Sequence, residues 1–127
     1  MPLERVVTVR HIPEKLAGRQ IADFLAEIRM CAEIDRPCVV LECSKLTHVD
    51  KKIVLLLLNC LEAAMKRNGD VRLAGMPTRA KAALKAADAD ALFSFFETAA
   101  DAAASFRRSS ISASLHVSSQ NTGESAA

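Results

Sequence analysis

The chain is 127 residues long, with 17 basic against 15 acidic residues and a formal net charge of +2. That length suits one compact domain, and so slight a charge imbalance, spread along the chain, excludes the broad basic field of a nucleic-acid-binding protein. Hydrophobic residues make up 50% of the chain but aromatics only 4%, with no Trp or Tyr, so the core must be aliphatic.

Val6, Val7 and Val9 with Thr8 form a β-branched run that predicts a first strand, and Ile12-Pro13 stops it because proline cannot continue a ladder. From Leu16 or Arg19 onward, Ile21, Phe24, Leu25, Ile28 and Cys31 recur at three-four spacing and predict an amphipathic helix that ends before Pro37. Residues 38–43 are almost all apolar, as in a strand covered on both faces of a parallel sheet, so this strand should be central.

Asp50 is placed to cap a helix over 51–67, and Asn68-Gly69 supplies a left-handed stop. The apolar run 53–58 resembles a strand in isolation. Its register continues through Leu61, Ala64 and Met65, a length that only a helix sustains. These apolar positions encircle the helix, so what the sheet leaves uncovered must meet neighbouring helices, a partner or a second copy in a homodimer.

A strand over 71–74 follows, then a turn at Gly75-Met76-Pro77 and an alanine-rich helix capped by Thr78 and running to Ala87. Residues 92–96 make a last short strand, and Thr98 caps a final helix to about Phe106. From Arg107 the chain turns serine-rich, which reads as a disordered tail over 107–127 after a domain at 1–106. Alternating strands and helices define an α/β fold with a mixed, largely parallel sheet of four to five strands.

Chemistry-bearing motifs are few. Cys31, Cys38, Cys43 and Cys60 include no CxxC pair, so they read as reduced, mostly buried thiols with no metal to hold. His11, His48 and His116 have no adjacent nucleophile pattern; His48 beside Asp50 is the best acid/base pair available, and neighbouring loop residues commonly share solvent without chemistry. Neither GxxxxGK[ST] nor GxGxxG occurs, so no cofactor is expected. No apolar run approaches the roughly 18 residues of a membrane span, and the N-terminal residues lack a signal-peptide core, so a cytoplasmic, non-enzymatic protein is expected.

The stretch VVLECSKLTHVDKKIVLLLLNCLEAAMKRNGDVRLAGMPTRAKAALKAADADALF resembles the STAS domain of anti-sigma-factor antagonists. In that family a hydrophobic strand leads into a loop of the form D-L-S-x-V-x-x-I-D-S-S-G, a long helix, a short strand ending L-x-G and another helix. Ser44 fits the loop serine, Leu46 the apolar position after it, Val49 and Asp50 the I-D pair, and Leu73-Ala74-Gly75 the strand end. The resemblance implies a STAS-like fold and a regulatory module that binds an anti-sigma factor or GHKL-type serine kinase.

The implied partner-binding residues are Pro13, Glu14, Ser44, His48, Asp50, Lys51, Lys52 and Ile53. Where switching members carry a phosphorylatable residue after the aspartate, then a small residue and glycine, this chain has Lys51, Lys52 and Ile53. A positive charge thus stands where the family adds and removes a negative one. An alternative implied by the resemblance is an accessory subunit of an ABC-type lipid transporter, or another scaffold.

Overall fold

The computed structural model describes residues 6–115, with side chains to Arg107. Among the described residues four strands, β1 (Val7–His11), β2 (Cys38–Glu42), β3 (Asp70–Ala74) and β4 (Ser94–Phe96), lie in the sheet order β1-β2-β3-β4. Every pairing is parallel, with Val40 opposite Val9 on one side and Arg72 on the other. Parallel neighbours need crossovers, and α1 (Gly18–Cys31), α2 (Lys51–Met65) and α3 (Thr78–Ala86) supply them on one face. A final helix, α4 (Ala99–Leu115), covers the other.

The near-continuous apolar run of β2 matches its central place. Its side chains alternate between faces: Val39 and Leu41 enter the core under α1, α2 and α3, while Cys38 and Val40 meet Ala102 and Phe106 of α4. In β3, Val71 and Leu73 join the first core, and Ala74 the second. The apolar run of α2 is largely consumed in the same way, with Ile53, Val54, Leu56, Leu57, Cys60, Leu61 and Ala64 all buried.

The stop after α2 divides its work between two residues. Asn68 takes the left-handed conformation at φ 64°, which asparagine tolerates well. Gly69 donates its N–H to the Ala64 carbonyl at 2.8 Å, a bond that closes the helix end. A Cβ on Gly69 would collide with the Pro37 carbonyl and ring, so the chain passes Pro37 here only without a side chain.

Several boundaries move from those the sequence suggests. The N-cap of α3 is Pro77, and Thr78 is already helical with no capping bond from its side chain. Residues 90–92 form a short 3-10 turn, leaving only three residues for β4. Helix α4 runs past Phe106 to Leu115, because residues 107–115 contain neither Gly nor Pro to break it. Residues 116–127 of the expected tail lie outside the described residues.

Candidate partner-binding edge

Because the strands all run one way, their C-terminal ends and the starts of all four helices gather at one edge of the sheet. Open α/β sheets present their binding loops there. Pro13 and Glu14 lie in the loop after β1, Ser44 and His48 in the loop after β2, and Asp50, Lys51 and Lys52 at the start of α2, all exposed. The topology therefore brings residues distant in sequence to one edge.

Asp50 caps α2 as expected, its Oδ1 accepting the Ile53 N–H at 3.1 Å. That bond fixes Lys51 and Lys52 in the first turn, which has no acidic residue. Ile53 is different from its neighbours in the expected set: it is only 5% exposed and belongs to the core. It anchors the helix start from within, since a branched apolar side chain gains more by leaving water than by standing beside two lysines. No hydrogen bond joins His48 to Asp50 among the described residues, so the acid/base pair suggested by sequence is not assembled.

A second group at this edge was not foreseen. Glu42 closes β2, and its Oε1 accepts hydrogen bonds from the Ser44 hydroxyl at 2.8 Å and the Ser44 N–H at 3.2 Å. His11 Nδ1 stands 3.8 Å from the same oxygen, too far for a hydrogen bond. Gly75, at φ 65°, allows this packing, since a Cβ there would lie 2.7 Å from Glu42 Oε2. The only clue in the sequence was a carboxylate ending an otherwise apolar strand.

This arrangement ties the start of the loop to the end of β2. An activated serine gives its proton to a base that is itself oriented by a third group. Here Ser44 and His11 face one oxygen of Glu42, and the serine hydroxyl is engaged by the carboxylate directly.

None of the four cysteines is in a disulfide; Cys38, Cys43 and Cys60 are buried and Cys31 is half-buried. Burial pushes the Cys43 thiol up to about 12, with the negative Glu42 adding to the rise. Burial likewise lifts Cys60 to about 12, against a smaller opposing pull from Arg29. Both stay protonated and unreactive near neutral pH. No cluster of metal-ligating side chains occurs among the described residues.

On the outer surface of α2, Leu55 is 58% exposed and Leu58 is half-buried, all that is left of the apolar strip anticipated around the first half of this helix. Among the described residues no helix is long and apolar enough to cross a membrane.

The fold and its edge define a parallel α/β domain that displays loops and a capped, cationic helix start. The sequence profile of the STAS domain matches residues 3–102, and the chain belongs to the STAS domain family. Its fold is shared by an anti-sigma-factor antagonist (STAS) domain protein from Planctomyces limnophilus. That match has a TM-score of 0.69 at 13% identity, covering 78% of this chain and 89% of that one. A sulfate transporter family protein from Wolinella succinogenes also matches, with a TM-score of 0.63 at 20% identity over 83% of this chain and 87% of that one. No curated protein matches by sequence.

Proposed function

We propose that the chain is a non-enzymatic regulatory module, resident in the cytoplasm, that binds an anti-sigma factor or GHKL-type serine kinase through the carboxyl edge of its sheet. The contacts are Pro13 and Glu14, Ser44 and His48, and Asp50 with Lys51 and Lys52. One observation carries this reading: Lys51, at the position matching the family's phosphorylatable residue, is exposed directly behind the Asp50 cap. On this reading the helix start keeps its aspartate cap while the hydroxyl is replaced by a fixed cation.

A phosphoryl group at a helix start brings up to about two negative charges, and a lysine cannot take it up on a hydroxyl. Binding is therefore expected to be insensitive to a serine/threonine kinase acting at this place. The test is affinity purification against candidate GHKL-type kinases, followed by titration of the recovered kinase with Lys51→Ser and Lys51→Glu. Lys51→Ser should become a phosphoacceptor, and Lys51→Glu should weaken binding. Recovery of transporter ATPase and permease subunits, with no kinase, would favour the scaffold alternative.

A further inference from the structure

The chain is nearly neutral overall, yet its topology gathers cations at the starts of the three helices on one face of the sheet. Lys15 and Lys45 stand in the first two loops, and Arg19, Lys51, Lys52 and Arg79 in the first turns of α1, α2 and α3; all six are exposed. None forms an ion pair among the described residues. These three first turns contain no acidic residue. Of the carboxylates at this edge, Asp50 is engaged by the Ile53 N–H and Glu42 by Ser44, Glu14 is the exposed acid of the first loop, and Glu97 and Asp101 lie at the start of α4, on the other face of the sheet.

At the opposite edge the signs alternate: Arg29 is followed by Glu33 and Asp35, Glu62 by Lys66, and Lys85 by Asp88. Neither sign dominates there. At the carboxyl edge, by contrast, each first-turn cation opposes the positive pole of its own helix. The arrangement adds nothing to the stability of the fold, and an anionic surface laid across it would relieve the repulsion. Leu55 stands one turn beyond Lys51, an exposed apolar side chain beside the cations. Apolar centre and charged rim are the usual anatomy of a protein interface.

We propose that this edge docks an acidic protein surface spanning the starts of α1, α2 and α3, with Arg19 and Arg79 as outer contacts and Leu55 seated in an apolar dip between carboxylates. The proposal rests on the reading that the edge binds a protein and adds the chemistry and extent of the partner's face. A bilayer fits less well: the chain has no Trp or Tyr, and one leucine is a shallow wedge. Nucleic acid fits less well too, because Glu14 interrupts the patch and no aromatic platform is exposed on it.

The test titrates the full chain against a labelled peptide of alternating Glu and Leu, with a Gln-Leu peptide as control, by fluorescence anisotropy. The Glu peptide should bind and the Gln peptide should not, and affinity should fall about ten-fold as NaCl rises from about 50 to about 300 mM. Arg19→Glu and Arg79→Glu should each weaken binding about five-fold, while Lys85→Glu at the opposite edge should leave it unchanged. Thermal melts of each variant should match wild type, because these positions are exposed and form no ion pair among the described residues. Wild-type binding by both edge variants overturns the proposal, as does equal weakening by Lys85→Glu, or tighter binding to phosphatidylserine vesicles or duplex DNA than to the peptide.

The same variants titrated against a purified GHKL-type kinase separate the two readings. Kinase binding that ignores Arg19→Glu and Arg79→Glu sinks the acidic face and leaves the kinase partner standing. Peptide binding without kinase binding does the reverse.

Discussion

On one face of the sheet, α1, α2 and α3 bury Val39, Leu41, Val71 and Leu73 under Phe24, Ile28, Leu57 and Leu84. On the other, α4 alone covers Cys38, Val40 and Ala74 with Ala102 and Phe106. The first face is held by aliphatic area. The second is thinner and leans on a polar anchor. Arg72 lies 4.0 Å from the Phe106 ring centroid and donates to Ser105 Oγ at 2.7 Å, while Asp70 accepts from its Nε at 3.2 Å. Ser105 in turn donates to the Ala102 carbonyl at 2.6 Å. A sheet can thus satisfy its two sides by different physics, one tolerant of detail and one dependent on geometry.

The largest effect should come from Leu57→Ala, which opens a cavity in the first core. A loss of about 2 to 5 kcal/mol is expected in denaturant unfolding, with all helices lost together. Phe106→Ala should cost less than the about 3 to 5 kcal/mol usual for a buried Phe, because α4 can lift before the sheet unfolds. Hydrogen exchange would show it: amides of α4 should exchange faster while those of β2 keep their protection. Uniform loss of protection would abolish the contrast between faces.

Arg72→Met keeps the stem but removes the charge, and should cost about 1 kcal/mol, again read at α4. Asp50→Ala touches neither face and removes one capping bond, so about 1 kcal/mol is expected, with fraying confined to the first turn of α2.

The last effect is absent at neutral pH and appears only in alkali. Cys43 and Cys60, both in the first core, have thiols raised from an ordinary 9.0 to about 12. Between those values the unfolded chain has released protons that the folded chain retains, so stability is full below pH 9 and declines as pH climbs toward 12. Cys43→Ala and Cys60→Ala should each flatten that decline in urea titrations across the window.

Much of the fold was legible because the signals were local. The central place of β2 followed from its apolar run, the helical state of 53–58 from the register continuing to Met65, and the start of α2 from Asp50. The site was legible in part. Lys51 and Lys52 could be placed on a helix start, but Ile53 appeared to share their exposure until the helix rotation set its side chain inward. Glu42, His11 and Gly75 meet only through strand register, which no local pattern encodes. The gathering of Arg19 and Arg79 beside the lysines depends in the same way on every strand running in one direction.

The sequential order of the strands in the sheet also suits an order of assembly. Each strand follows its neighbour in the chain as well as in the sheet, so a growing polypeptide can lay β2 on β1 and β3 on β2 as they leave the ribosome. The helix that shields Val40 and Cys38 is made after all four strands. Until it emerges, Cys38, Val40 and Ala74 lack the cover that Ala102 and Phe106 give them in the finished fold.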